Sequence, residues 1–177
     1  MGSGGAQWLQ ELKEGIGKRE EEEWRERVAT KPRLRSYKLI KEKLAFENYL
    51  EFTVGRQRKA VVAMRSGAND LEIEMGRRRR EEVKDRVCKE CKGGVEDEMH
   101  VVLECPAYGG IRQELMERLR VMGLPVQGET RQERWKSLMS GPEKARWKAV
   151  GKSVARMLEE RERRVRQREE VADIKQD

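Results

Sequence analysis

Apolar residues recur at helical spacing along much of the chain. Near its start, Trp8, Leu12 and Ile16 lie four residues apart, a spacing that places them on one helix face. The pattern resumes after a run of glutamates and stops before Pro32, because proline disfavours helical backbone in the residue that precedes it. We therefore predict one charged N-terminal helix over residues 1–30.

Further apolar stripes predict helices in the rest of the chain. The spacing between residues 37 and 50 predicts one helix, and a short stripe after Gly55 predicts a second. A helix that includes Ile111 should stop at Gly123. Two capping-box pairs, in which each residue satisfies a free amide of the other, should begin two more helices. These pairs are Thr130 with Glu133 and Ser140 with Glu143.

Residues 71–74, Leu-Glu-Ile-Glu, alternate between apolar and acidic side chains. A period of two is typical of a strand with one buried face. Turn-forming residues precede the alternation at positions 67–70. We predict a short extended or β arm here, and four consecutive arginines at positions 77–80 belong to it.

The three cysteines and the only histidine of the chain are collected in one segment, with the spacing Cys88-x2-Cys91-x8-His100-x4-Cys105. Zinc takes four sulfur or nitrogen donors in a tetrahedron, and the Cys-x2-Cys spacing puts two thiolates on one tight turn. Buried structural cysteines would leave the clustering unexplained, and no βαβ pattern supports a thioredoxin-like redox pair. We predict one structural zinc ion with no open position for catalysis.

The sequence as a whole predicts a mainly α fold, a small helical domain stapled by one structural zinc finger, with the short arm before it. Metal binding stabilises small zinc modules by on the order of 10 kcal/mol, so the finger should fold only with metal. We expect four segments. They are residues 1–30, an N-terminal charged helix; 31–66, a basic helical segment; 67–124, arm, finger and following helix; and 125–177, C-terminal helices with a charged tail.

Composition narrows the function classes. Charged residues make up 41% of the chain and the net charge is +7, which leaves a thin apolar core. The sequence contains no apolar stretch long enough to span a membrane and no secretory signal, so we expect a nuclear or cytoplasmic protein that is not secreted. The three cysteines do not suggest a disulfide framework.

The positive charge is concentrated in two places. Residues 31–65 hold 10 basic and 3 acidic residues, and the arginine run at 77–80 lies just before the first cysteine. A surface of this kind attracts nucleic-acid phosphates, although basic residues on charged helices are often merely solvated. The run also fits a nuclear-localisation signal. The candidate nucleic-acid contacts are Arg56, Arg58, Lys59, Arg65, Arg77, Arg78, Arg79, Arg80, Lys84 and Arg86.

Several short motifs form a larger pattern around the cysteines. They are Arg65-x3-Asn69-x-Leu71-x-Ile73-Glu74-x-Gly76-Arg77, Arg86-Val87-Cys88-x2-Cys91, Glu96-Asp97-Glu98-x-His100 and Cys105-Pro106-x-Tyr108, with Arg112 near the next helix. Together they resemble the C-terminal zinc-binding region of LINE-type (non-LTR) retrotransposon reverse transcriptases, over about residues 37–122. One position departs from the pattern, since Asn69 stands where many relatives have histidine.

The resemblance implies a zinc-containing appendage that helps a polymerase to hold template RNA or target DNA. It does not imply catalysis, because the sequence has neither the Asp-Asp pair of the polymerase nor the Pro-Asp of the associated nuclease. We predict a non-enzymatic, zinc-dependent module that binds RNA or DNA. A reverse transcriptase or another protein is a further expected partner, and a membrane is not. The alternative is a zinc-stapled protein–protein interaction module with no nucleic-acid role.

The loop between the two ligand pairs is acidic and should repel phosphate. We expect it to brace the flanking basic helices or to dock on a basic protein surface. Tyr108 is expected in the core, with stacking on a base as the alternative. The four tryptophans are expected to pack in the core.

Overall fold

Proline and glycine divide the helical pattern into short elements between two long helices. The computed structural model describes residues 3–174. Its α-helices are α1 (Ser3–Thr30), α2 (Arg35–Ile40), α3 (Asn48–Phe52), α4 (Gly55–Ser66), α5 (Glu72–Arg78), α6 (Gly109–Val121), α7 (Arg131–Leu138) and α8 (Lys144–Ile174). The prediction of a mainly α fold with one clustered metal-binding segment is confirmed. Within residues 3–174, strand pairing is limited to one antiparallel bridge between Val87 and Val95.

Of three predicted helix boundaries, the end of α6 and the start of α7 are confirmed, and the predicted cap of α8 is wrong. Gly123 has a φ of 70° just after α6, a left-handed conformation that ends a helix at little cost for glycine. Thr130 and Glu133 form the predicted capping box at α7. Ser140 does not cap α8, because its hydroxyl donates back to the carbonyl of Lys136 in the preceding helix.

The core lies where α8 crosses α4 and α6. The first half of α8 contributes Trp147, Val150, Val154 and Met157, all buried. One hydrophobic cluster takes residues from all three predicted segments after residue 30. Helices α4 and α8 approach closely at Gly151, where an added Cβ would lie 3.2 Å from the Cβ of Gln57.

The predicted arm at residues 71–74 is helical instead of extended. Leu71 is the N-cap of α5, and the next three residues form its first turn. The alternation gave a wrong prediction because the acidic residues Glu72 and Glu74 are buried, as are the apolar residues Leu71 and Ile73 that alternate with them. Extended pairing before the cysteines is confined to the bridge at Val87.

Helix α1 lies largely outside the core. Trp8 is 60% exposed, and Leu9, Leu12 and Ile16 beside it are exposed as well, so the prediction of a core role for Trp8 is wrong. Contact with the rest of the molecule begins near its C-terminal end, where Trp24 meets Tyr37 edge-on with ring centroids 6.4 Å apart. Among residues 3–174, no helix has both the length and the apolar character needed to cross a membrane.

Candidate metal centre

The first two cysteines lie on a tight turn closed by main-chain hydrogen bonds. The N–H of Cys88 donates to the carbonyl of Gly94 at 2.8 Å, and the N–H of Lys92 donates to the carbonyl of Cys88 at 2.9 Å. Lys92 has a φ of 60°, so the chain reverses within a few residues. The N–H of Gly93 points at the Cys91 sulfur, 3.3 Å away. Such donors stabilise a thiolate ligand.

The second pair of donors lies on a turn of π-helix, His100–Glu104. The N–H of Cys105 donates to the carbonyl of His100 at 2.7 Å, which closes the wide turn and brings imidazole and thiol to the same side. The carboxylate of Asp97 accepts the N–H of His100 at 2.8 Å and fixes the start of the turn. Pro106 follows immediately and ends it.

The four side chains converge as the sequence predicts. All their donor atoms lie within 4.8 Å of one another. Cys91 Sγ is 3.2 Å from His100 Nε2, and Cys88 Sγ is 3.9 Å from Cys105 Sγ. A tetrahedral ion with bonds of about 2.0–2.3 Å holds its donors about 3.5–3.8 Å apart. The cluster can therefore hold one metal ion, and four protein donors complete its coordination.

Burial favours the protonated form of two of the cysteine thiols. Cys88 and Cys105 are fully buried, and His100 is nearly so. Burial raises the pKa of the Cys105 thiol to about 12 and also raises the pKa of the Cys88 thiol. A bound cation has to displace these protons, so metal uptake releases protons and weakens as the pH falls.

Two arginines fasten the turn that carries the second pair. Arg112 of α6 donates to the carbonyl of Cys105 at 3.0 Å, and burial lowers its pKa. Arg131 of α7 forms an ion pair with Asp97, the residue that accepts the N–H of His100. The metal turn is thus anchored to α6 and α7, the next two α-helices.

The acidic loop between the ligand pairs faces inward. Glu96 is buried and accepts two hydrogen bonds of 2.8 Å from Arg161 of α8. Glu98 is buried and accepts from Arg35 and Ser36 of α2 at 2.5 and 2.8 Å. Of the two expected roles, the geometry shows the brace, because these carboxylates bind basic groups of their own chain.

Asn69, the position that departs from the motif pattern, lies outside the ligand cluster. Its side-chain amide donates to Glu98 at 2.9 Å and to the carbonyl of Ala63 at 3.2 Å. It therefore links α4 to the acidic loop and supports the metal centre only through Glu98.

The arginine run is held by buried carboxylates. Arg77 pairs with Glu74 at 2.8 Å, and Arg79 pairs with Glu72 at 2.5 Å. Burial alone would raise the pKa of both carboxyls, but the basic side chains beside them outweigh it and hold both pKa values below the ordinary range. The run is thus part of α5 and its end rather than a free arm. Reversing its charge would leave each buried carboxylate with one basic partner outside the run, Arg35 for Glu74 and Lys89 for Glu72.

Two other predicted contacts are internal, which corrects the sequence prediction. Arg65 is 2% exposed, pairs with Glu47 at 2.6 Å and lies over the rings of Tyr49 and Trp147. Arg86 is half-buried and donates to main-chain carbonyls, one of them at 2.7 Å. Neither guanidinium is presented to a phosphate.

The remaining predicted contacts are exposed but scattered. Arg56 and Lys59 lie on α4, where Arg56 pairs with Glu159 at 3.4 Å. Arg58 is exposed and donates to the carbonyl of Thr53. Arg78, Arg80 and Lys84 are exposed near the end of α5.

Tyr108 belongs to the core, as expected. It is buried beside the metal turn, and burial together with the nearby Glu90 and Glu96 raises the pKa of its hydroxyl. A buried ring cannot stack on a nucleic-acid base.

Sequence reasoning missed Arg35 and Arg161, which neutralise the acidic loop. They lie 63 and 65 residues from their partners along the chain. The one signal available was the mismatch between an acidic loop and the basic helices on either side of it.

Known proteins add no further information about this centre. No family model matches the chain, and no curated protein or solved structure matches it either. The functional argument therefore rests on the residues and their geometry.

Proposed function

We propose that this chain is a zinc-dependent nucleic-acid-binding module, non-catalytic by itself, that acts on RNA or DNA in the nucleus or cytoplasm. The observation that carries the proposal is how charge is divided around the metal centre. Acidic residues of the finger are buried against arginines, so the chain's net charge of +7 remains on the surface.

Zinc is the metal that suits the donor set. Three thiolates and one imidazole in a closed tetrahedron are typical of structural zinc sites, and soft sulfur ligands disfavour magnesium and calcium. With every position taken by protein, such a site leaves no place for an activated water. The ion would act by holding the loop that joins α5 to α6.

Phosphate binding follows from the surface charge. Each cation that replaces a condensed counterion on a nucleic acid adds a favourable, salt-dependent contribution. Exposed arginines and lysines of α4, α6 and α8 can do this, whereas exposed carboxylates beside them would oppose it.

The proposed origin is a retrotransposon reverse transcriptase. Its support is the motif series from Arg65 to Tyr108, including the spacing of the four metal donors. In that setting the module would hold template RNA or target DNA for a polymerase, and the polymerase would be its protein partner.

Two measurements test the proposal. Native mass spectrometry should find one zinc ion per chain. A chain that is purified without metal would contradict the proposal that the module depends on zinc. Binding to short RNA and DNA should weaken steeply as salt is raised from about 50 to 200 mM. Absence of binding at the low-salt end would exclude the nucleic-acid function.

One observation favours the second candidate, a zinc-stapled interaction module. Four large apolar side chains are exposed together near the start of α1, namely Trp8, Leu9, Leu12 and Ile16. Exposed apolar clusters of this kind mark protein contact surfaces. A chain that carries zinc but does not bind nucleic acid would leave this function as the better supported one.

A further inference from the structure

A groove runs between α3, α6 and the first half of α8, on a face that the sequence did not single out. Its volume is 730 Å³, and α8 lines one side of it with Lys144, Lys148 and Lys152. Arg118 of α6 lines it as well, and Phe52 and Val54 add apolar surface at the end of α3.

The four cations of this groove are exposed and are not engaged by carboxylates. None of them has an acidic oxygen within 4.0 Å among the residues that the structure describes. Lys144 lies over the ring of Phe52, with its ammonium 5.9 Å from the ring centroid. The groove itself is lined by one carboxylate, Glu51. Nearby Glu114 is paired with Arg156 at 2.5 Å.

The groove differs in this respect from the arginine run. Arg77 and Arg79 neutralise buried Glu74 and Glu72, so a phosphate would have to compete with carboxylates already in place. The groove cations have only Glu51 in the lining and Glu114 nearby, and neither forms an ion pair with them. Binding a phosphate there would therefore break no ion pair of the fold.

The spacing of the lysines suits a polyanion with regularly placed charges. Residues four apart on a helix lie on the same face, and each step is about 6 Å along the axis. Lys144, Lys148 and Lys152 therefore form a row of three charges about 12 Å long. This repeat is close to the separation of neighbouring phosphates along one nucleic-acid strand.

The apolar part of the groove favours a single strand over a duplex. Val54 is 66% exposed and Met122 is 37% exposed, so both can cover an unstacked base. Phe52 also lines the groove and adds an aromatic ring. Charged grooves with aromatic platforms are how proteins hold single strands, whereas a duplex keeps its bases stacked inside. We infer that this groove binds a single-stranded segment of RNA or DNA, with Arg118, Lys144, Lys148 and Lys152 on consecutive phosphates; the inference rests on the proposed nucleic-acid function.

A pair of charge-matched variants tests the inference. In the zinc-loaded full chain, R118Q/K148Q/K152Q removes three charges from the groove, and R78Q/R80Q/K84Q removes three from the end of α5. All six side chains are exposed, so both variants should melt like the parent chain. Anisotropy with fluorescent single strands of about a dozen nucleotides, and with the matching duplexes, measures binding.

The groove variant should bind single strands on the order of a hundredfold more weakly near 0.1 M salt, and its salt slope should fall by about 2, as expected for three lost phosphate contacts. The α5 variant should lose clearly less, because two of its three cations already lie beside carboxylates, Arg78 beside Asp70 and Lys84 beside Glu82. Equal losses in both variants, a loss confined to the α5 variant, or tighter binding of duplex than of single strand would overturn the inference and leave the proposed function standing. If the parent chain binds no nucleic acid, the proposed function itself fails.

Discussion

Helices α1 and α8 have similar lengths and are both rich in charged residues, but their surroundings are very different. They contain 28 and 31 residues, and each has a stretch that mixes glutamates with arginines, after Arg19 in α1 and after Met157 in α8. In α8, Trp147 is buried and Arg161 forms a two-pronged ion pair with buried Glu96. In α1, Trp8 is exposed, and the ion pairs join residues one turn apart on the surface.

The two helices differ in what their charged side chains bind, and not in helix length or charge content. Surface pairs one turn apart contribute a few tenths of a kcal/mol each, because water screens them. A guanidinium that neutralises a buried carboxylate matters far more, since its removal strands a charge away from water. The number of charged residues in a helix therefore says little about how much that helix stabilises the fold. Four sets of variants test this difference between α1 and α8, and the variant with the largest expected loss of stability comes first.

Loss of the metal centre should have the largest effect. The Cys88→Ser chain, or the parent chain with a strong zinc chelator, should lose its cooperative thermal transition, because metal binding contributes on the order of 10 kcal/mol in small zinc modules. Circular dichroism should still report helix from α1, which makes few contacts with the finger. Melting that is the same with and without chelator would show that the four donors hold no stabilising ion.

Removal of the Arg161 guanidinium from α8 should cause the second-largest loss of stability. Arg161→Ala leaves Glu96 buried without its counter-charge, and we expect unfolding free energy to fall by about 3–5 kcal/mol. Urea denaturation of the zinc-loaded chain measures it. The matched control is Arg163→Ala on the same helix, whose partner Glu160 lies one turn away at the surface.

That control should unfold almost as the parent chain does. The double variant E96Q/R161A should recover part of the loss, because a neutral amide is less costly to bury than an unpaired carboxylate. Equal stability of the two single arginine variants would show that the acidic loop is not held by α8.

Truncating the tryptophan of α1 should cause the smallest change in unfolding free energy, and the same truncation in α8 provides the comparison. Trp8→Ala should change unfolding free energy by less than about 0.5 kcal/mol, as is usual for exposed positions. Trp147→Ala, its counterpart on α8, should cost about 3–5 kcal/mol because it empties a packed site. A large loss of stability from the Trp8 variant would mean that α1 packs on the molecule or on a second copy.

The metal donors could be found from the sequence because the relevant chemistry is local and scarce. A single histidine and three cysteines fall within one short segment, and their spacing fits two turns. Helices with clear stops, such as α6 before Gly123, were predictable for the same reason. Local residues alone determine these features.

Other features depend on partners far along the chain, which a periodic pattern cannot reveal. The alternation at residues 71–74 predicts a strand only if its glutamates face water, and they are buried by arginines instead. Arg65 has the charge of a surface residue but lies between Tyr49 and Trp147 in the core. The groove was missed because its walls come from α3, α6 and α8, which meet only in the fold.

The pairing of Glu96 with Arg161 also constrains how the protein is made. A nascent chain that has left the ribosome as far as Cys105 already carries all four metal donors, but the arginine that neutralises Glu96 follows 65 residues after it. The local turns can bind their ion during synthesis, and Arg35 is already present to pair with Glu98, whereas Glu96 lacks its counter-charge until α8 emerges. Long-range contacts of this kind form last, so a stalled or truncated translation product should hold metal yet remain prone to aggregation.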